Sequence, residues 1–338
     1  MATRVGINGF GRIGRQVLKA IMERYQGEIE VVGINDLTDA KTNAHLLKYD
    51  TNYGRSNAEI SFAGDNLIVD QSLIKVFAER DPAKIPWGEV GAEIVVESTG
   101  IFTNAEKARE HVRDSVKKVV ISAPASGEDL TVVLGVNEDR YEASNHSVIS
   151  NASCTTNCVA PMAKVLNDSF GVEKALMSTV HAYTNDQRIL DMAHSDLRRA
   201  RAAAMNIIPT TTGAARAVGV VIPELQGKIH GMAFRVPTST VSVIDLVAVL
   251  KQEVTAEDIN LAFQNAAEGS LKGIVEFCVE ELVSSDFKEN SHSCIIDSLS
   301  TMSIGGNLVK VMGWYDNEWG YSCRTADLCS FLARQGLK

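Results

Sequence analysis

Residues 4–14, Arg4-Val5-Gly6-Ile7-Asn8-Gly9-Phe10-Gly11-Arg12-Ile13-Gly14, read as a strand that runs directly into a glycine-rich turn. Past the turn, Ile13, Val17, Leu18 and Ile21 share one face of a helix predicted to reach about Tyr25. Glu30 to Ile34 is a second strand and ends at Asn35-Asp36. Strand, turn, helix, strand and acid in this order make the βαβ unit that binds dinucleotides. Gly9 permits the tight turn, Gly11 lets backbone approach a pyrophosphate, and Gly14 allows close helix–strand contact. Asp36 stands where a carboxylate accepts hydrogen bonds from an adenosine ribose; the same charge repels a 2′-phosphate, which favours NAD over NADP. A bare GxGxxG also occurs as a plain structural turn, so it is the complete βαβ context that carries the prediction.

The alternation continues outward. Asp39 to Tyr49 is helix-like, Ala58 to Phe62 and Asn66 to Val69 form a hairpin about Gly64-Asp65, and Glu93 to Glu97 and Lys118 to Ser122 are apolar strands. Ligands of a doubly wound sheet sit outside the carboxyl ends of its strands, so Ser98, Thr99, Gly100 and Ser122 are candidates to lie along the cofactor; each equally suits an ordinary turn. Near residue 150 the pattern changes to longer strand-like runs, Ala175 to Val180, Lys228 to Pro237 and Val241 to Leu250. The fold class expected is α/β. A Rossmann-type dinucleotide-binding domain covers 1–150, and an α+β catalytic domain with a large mixed or antiparallel sheet covers 151–316. A C-terminal helix, 317–338, is expected to return to the first domain. Thr184 to Ile208 is polar, rich in Arg and without a period, and connections this long usually serve function or an interface.

Composition narrows the function classes. With 45% hydrophobic and 22% charged residues and a net charge of −9, the 338-residue chain resembles an ordinary globular protein whose acidic balance argues against nucleic acid as a main partner. A local basic pocket for a phosphorylated metabolite stays open at Arg198-Arg199-Ala200-Arg201. Six scattered cysteines suit free thiols in a reducing compartment, and the CxxxC spacing of Cys154 and Cys158 has no second pair to complete a zinc site. No apolar run approaches a membrane span, and the chain enters a strand without an apolar leader, so a cytoplasmic location is expected.

The chemistry centres on Ser150-Asn151-Ala152-Ser153-Cys154-Thr155-Thr156-Asn157-Cys158, where a thiol precedes a helix-like run from Thr155 to Phe170. Unpaired N–H groups and the positive end of the dipole at a helix start favour thiolate over thiol. An inert, buried cysteine is the plain alternative. His181, ending the apolar strand Leu176 to Val180, is the best-placed base. Cysteine, histidine and a nicotinamide cofactor imply a particular reaction: thiolate adds to an aldehyde, the hemithioacetal loses hydride, and a thioester remains for an acceptor. The N–H of Cys154 would help to stabilise the oxyanion.

These residues carry a family likeness. GINGFGRIGR at the N-terminus, SNASCTTNC at 150–158, HAYTNDQ at 181–187, DLRRARAAAMNIIPTTTGAARAV at 196–218, RVPT at 235–238 and WYDNEWGYS at 314–322 resemble phosphorylating glyceraldehyde-3-phosphate dehydrogenase over nearly the whole chain. The resemblance implies an oxidoreductase of glycolysis and gluconeogenesis, with Cys154 as nucleophile and His181 as base. It implies that Thr184 and Arg235, helped by Arg199, hold the substrate's phosphate, and that Ser153, Thr155, Thr212 and Gly213 hold inorganic phosphate. Arg12 and Ile13 would meet the pyrophosphate, Asp36 the ribose, and Arg80 and Ser122 the adenine side. Asn317 would hydrogen-bond the nicotinamide carboxamide, with Tyr321 nearby. It further implies a homotetramer with 184–208 at a subunit interface beside a neighbour's cofactor.

Some positions depart from the family pattern. Met192-Ala193 replaces a Leu-Pro pair associated with excluding NADP, so NAD is preferred and some NADP use is allowed. Trp319 replaces a smaller residue, while Asn52-Tyr53 and Ser239-Thr240 are unusual. Thr184 is retained, which favours the three-carbon aldehyde over the competing reading, erythrose-4-phosphate oxidation. A catalytically inactive dinucleotide- or RNA-binding module is the alternative of another class, and the intact Cys154, His181, Thr212 and Arg235 speak against it.

Overall fold

Thr3–Asn8 forms the strand ahead of the glycine turn, and its Val5 and Ile7 are fully buried, as a strand covered on both faces requires. The computed structural model describes residues 2–338 and resolves two units. One comprises the chain up to Val132 with Asp139–Ala152 and Ser322–Lys338; the other comprises Val133–Glu138 and Ser153–Tyr321.

The first unit is built on a nine-stranded sheet in the order Leu130–Thr131, Val148–Ser150, Lys118–Ile121, Ile94–Glu97, Thr3–Asn8, Ile29–Asn35, Ser72–Phe77, Asn66–Val69, Ile60–Ala63. All pairings are parallel except those of Asn66–Val69, the one strand that runs against the rest. Thr3–Asn8 pairs with Ile29–Asn35 on one side and with Ile94–Glu97 on the other. The strand order therefore reverses there, which opens a crevice at the carboxyl ends. The glycine turn enters the helix Arg12–Arg24 at this point. Gly9 has φ +87°, and a Cβ on it would meet Thr99 N at 2.6 Å. A Cβ on Gly14 would overlap the carbonyl oxygen of Gly9, whereas one on Gly11 would meet nothing within 4 Å. The segment Ser322–Lys338 completes this unit: Tyr25 OH and Arg24 reach Asp327 at 2.5 and 3.2 Å, and Asn151 Nδ2 donates to Thr325 Oγ1 at 3.0 Å.

The second unit carries a seven-stranded mixed sheet in the order Ile208–Thr211, Ile229–Val236, Val172–Ala182, Ser242–Leu250, Leu308–Tyr315, Cys294–Ile304, Val275–Cys278. Helices Cys154–Phe170, Ala214–Val221 and Ala256–Glu268 pack against this sheet. Along Val172–Ala182 the residues alternate, with Ala175, Met177, Thr179 and His181 buried and Leu176 and Val180 exposed. His181 thus belongs to the covered face. Its strand ends one residue later, at Ala182.

The last two glycines of the turn make separable demands. Gly14→Ala should cost about 1–3 kcal/mol by overpacking. Gly11→Ala, with open space around it, should lower the thermal midpoint much less, and comparing the two unfolding curves checks the assignment.

Candidate active site

The dinucleotide side lies in the first unit. The helix Arg12–Arg24 opens at Gly11 with no side-chain cap and no acidic residue in its first turn, so the N–H groups of Ile13 and Gly14 lack helical acceptors, and open space surrounds Gly11. That is the cradle a pyrophosphate fills, and the residues present fit NAD. Asp36 ends the second strand; its Oδ2 accepts from Phe10 N at 2.8 Å and its Oδ1 from Thr38 N at 2.9 Å, which holds the carboxylate beside the turn. Arg80 is exposed and follows Glu79, whose N–H donates to Asn35 Oδ1 at 2.8 Å. Thr99 lies against Gly9, and Ser122 N donates to Glu97 O at 2.9 Å. Arg12's guanidinium binds Asp50 at 2.6 Å and covers the Tyr53 ring at 5.8 Å, while Asp50 Oδ1 also accepts from Asn52 N at 2.9 Å. The Asn52-Tyr53 pair therefore serves to hold Arg12, which leaves the backbone of the helix start as the part that meets an anion.

The thiol lies in the second unit. Ser153 caps the helix Cys154–Phe170, its Oγ accepting from Thr156 N at 3.0 Å, so Cys154 is the first helical residue. Ala152, just before the cap, has φ +53°, a strained conformation for a non-glycine residue. Cys154 Sγ is 3.5 Å from His181 Nε2. His181 Nδ1 lies 2.7 Å from Ala182 O and 2.7 Å from Arg235 Nη1. With a proton on Nδ1 the ring donates to Ala182 O and turns a lone pair toward the sulfur; with the proton on Nε2, Nδ1 accepts from Arg235. A neutral ring can thus serve first as base and then as donor. A positive ring is disfavoured: burial, then Arg235, pushes the His181 pKa down to about 3.

The helix-start reasoning predicts a lowered thiol pKa, and here the structure corrects it. Burial pushes the Cys154 thiol up, and the opposing pull of Arg235 and of the Thr155 and Cys154 N–H groups does not reverse it. Thiol and imidazole are both held neutral at rest, so the proton moves as the sulfur attacks.

Two further groups were not foreseen. The Tyr315 hydroxyl bonds Thr155 Oγ1 and Thr179 Oγ1, both at 2.9 Å, and its ring meets His181 edge-on at 5.9 Å between centroids. Ser242 Oγ accepts from Ala182 N at 3.0 Å, so its own proton must go to Asn317 Oδ1, also 3.0 Å away. This fixes the Asn317 amide with its NH₂ as the remaining donor, the end a carboxamide oxygen needs. Tyr321 is buried nearby in the chain. Tyr315 lies in the WYDNEWGYS motif and Ser242 on a predicted strand, but neither position announces these partners; only the contact reveals them.

The predicted phosphate ligands divide. Arg235 is half-buried, its Nε has no partner, and no carboxylate lies within ion-pair distance of it among the described residues. Thr184 sits in a turn closed by Gln187 N to Thr184 O at 3.0 Å. Gly213 opens the helix Ala214–Val221 without a side-chain cap and with open space around it, beside Thr212, whose Oγ1 accepts from Ala214 N at 3.2 Å. Thr155 turns its hydroxyl to Tyr315, so any contact it makes with an anion falls to its N–H. Arg199 is committed to Asp186, to Thr210 Oγ1 at 2.9 Å and to Thr211 O at 3.0 Å. It stiffens the polar segment more directly than it offers a free fork. Thr240 donates to Asp316 Oδ1 at 3.0 Å, and that oxygen also accepts from Glu318 N and Trp319 N, each at 3.0 Å, which gives Thr240 a role at the start of the last helix.

A dinucleotide fold in one unit and a cysteine–histidine pair beside an unpaired arginine in the other define the class of cysteine-dependent dehydrogenases. Family models agree: residues 3–105 match the NAD binding domain of glyceraldehyde 3-phosphate dehydrogenase and residues 153–317 match its C-terminal domain. The chain is 60% identical over 337 residues to glyceraldehyde-3-phosphate dehydrogenase 1 of Bacillus subtilis, covering all of both chains. It is 60% identical to the Geobacillus stearothermophilus glyceraldehyde-3-phosphate dehydrogenase with the same coverage, and 52% identical to a second enzyme of that name from Synechocystis over 98% of this chain and 99% of the relative. The chain belongs to the glyceraldehyde-3-phosphate dehydrogenase family.

The depressed His181 pKa makes a stability prediction. Between about 3 and the ordinary value near 6.5, the unfolded state binds a proton that the folded state refuses, so stability falls as pH drops through this window. The contribution approaches about 1.4 kcal/mol per pH unit. His181→Gln should show a shallower loss over the same range in denaturant titrations.

Proposed function

We propose that this chain oxidises D-glyceraldehyde 3-phosphate to 1,3-bisphosphoglycerate, with inorganic phosphate as acceptor. The observation that carries the reading is the half-buried, carboxylate-free Arg235 beside Cys154 and His181: a cation built into the site without a counter-charge calls for an anionic substrate. The family supports the aldehyde, and Thr184 with Arg235 suits its phosphate.

NAD, held by the helix start at Ile13 and Gly14 with Asp36 on its ribose, supplies the two-electron oxidant that turns a hemithioacetal on Cys154 into a thioester. Cys154 Sγ attacks the aldehyde carbon while His181 Nε2 takes the thiol proton. His181 Nε2 then donates to the former carbonyl oxygen, the Cys154 N–H supports the charge on it, and His181 takes the hydroxyl proton back when the hemithioacetal is oxidised. Gly213's open helix start, Thr212 and the backbone at Ser153 and Thr155 suit the acceptor phosphate, whose attack on the thioester releases Cys154. Tyr315, fixed by Thr155 and Thr179, packs edge-on against the imidazole and limits its tilt.

The same reading includes a homotetramer in the cytoplasm. Exposed Leu176, Val180 and Met232 on the sheet and Ile189, Leu190 and Met192 in the polar segment support subunit contacts. Among the described residues no helix is long and apolar enough to cross a membrane. Asp36 favours NAD, while Met192-Ala193 leaves some NADP use open.

Purified protein given NAD and glyceraldehyde 3-phosphate should form NADH in steady state only with phosphate, and much more slowly with NADP. No phosphate dependence, or faster turnover of erythrose 4-phosphate, would sink the reading. Thr184→Val should raise KM for the aldehyde about tenfold with a smaller change in kcat.

A further inference from the structure

Beneath the crevice of the first unit lies a buried hydrogen-bonded line that the reaction does not use. Glu97 ends its strand with both oxygens occupied. Oε1 accepts from Thr99 N at 2.9 Å and from the Thr99 hydroxyl, and Oε2 accepts from Asn8 Nδ2 at 2.5 Å and from His111 Nε2 at 3.1 Å. Trp87 Nε1 donates to His111 Nδ1 at 3.1 Å, so the neutral ring carries its one proton on Nε2, pointed at Glu97. Asn8 Oδ1 accepts from Asn35 Nδ2 at 2.7 Å, and Asn35 closes a two-way contact with Glu79, donating to its carbonyl at 2.9 Å and accepting from its N–H at 2.8 Å. Glu97, His111, Asn8, Asn35 and Trp87 are each less than 5% exposed.

Four of the six members stand one or two residues ahead of a cofactor position: Asn8 before Gly9, Asn35 before Asp36, Glu79 before Arg80, and Glu97 two before Thr99, while His111 and Trp87 brace Glu97 from behind. The line crosses the carboxyl ends of three adjacent parallel strands and ends in the loop after a fourth. Its one buried carboxylate accepts four donors, so removing a single donor or acceptor leaves buried partners unsatisfied.

We propose that Glu97 and His111 are positioning residues for the dinucleotide, setting the spacing of the glycine turn, the Asp36 carboxylate and the Thr99 loop before the cofactor arrives. The proposal deepens the cofactor reading and rests on it. Neither side chain touches the cofactor; both act through backbone that does. Glu97→Gln is the sharpest probe, because a carboxamide presents NH₂ to either the Thr99 pair or the Asn8 and His111 pair, and one set of donors must lose its acceptor. His111→Gln removes the ring that Trp87 orients. Trp87→Phe is milder, freeing the His111 tautomer and so loosening only the His111 bond to Glu97, while the Thr99 and Asn8 donors stay in place.

The test is calorimetric NAD titration of the full chain, with thermal unfolding and amide exchange over residues 97–101 in the cofactor-free protein. Glu97→Gln and His111→Gln should fold cooperatively, bind NAD at least about tenfold more weakly and exchange faster at 97–101, while the rate of Cys154 alkylation stays at the wild-type value. Folded variants with NAD affinity within about twofold of wild type, even if less heat-stable, would show a merely structural role and overturn the proposal. Should Glu97→Gln and His111→Gln fail to fold, Trp87→Phe decides. About threefold weaker binding with faster exchange at 97–101 supports positioning, and unchanged binding overturns it. A wild-type chain that does not bind NAD would instead contradict the cofactor reading itself.

Discussion

The 3.5 Å approach of Cys154 Sγ to His181 Nε2 is the contact on which the chemistry depends, and it exists because two elements of different kinds end together. A helix begins at Cys154 with Ser153 as its cap, and a strand ends at Ala182 with His181 on its covered face. The parallel register that pairs His181 with Arg235 brings the guanidinium to the same place. A shift of one residue in that strand would turn His181 to the exposed face and take the base away from the thiol.

Burial of this pair sets how it works. An imidazole that resists a second proton and a thiol pushed upward cannot rest as an ion pair, so activation is coupled to the arrival of an electrophile. The same burial leaves Arg235 as the strongest attraction for an anion. Specificity and reactivity thereby share one residue. In the first unit the order is reversed: glycine turn and strand ends present mostly backbone, and hydrogen-bonded side chains beneath them fix where that backbone lies.

Much of this was legible in residues 4–36, because glycine spacing, strand alternation and an acid at a strand end each have one common physical cause. The helix at Cys154 and the strand ending at His181 were legible from apolar spacing, although the strand extends to Val172–Ala182 where the sequence suggested Ala175 to Val180. The strands Cys294–Ile304 and Leu308–Tyr315 were missed, since their exposed positions include Leu299, Met302, Ile304 and Leu308, which blur the alternation. Tyr315, Ser242 and Glu97 act through partners distant in the chain, and no local pattern announces such contacts. The sign of the thiol shift was misjudged for the same reason: a helix start is local, whereas burial is a property of the whole fold.

The central claim, that Cys154 is made distinct by its place between helix start and His181, is tested by following alkylation of all six cysteines by mass spectrometry near neutral pH. Cys154 alone is partly exposed, the other five being buried. The account predicts that Cys154 is modified at least about tenfold faster than any other cysteine, and that His181→Gln, which leaves its exposure unchanged, slows Cys154 itself about tenfold. Equal rates across the cysteines, or a Cys154 rate unchanged by loss of the imidazole, would contradict it.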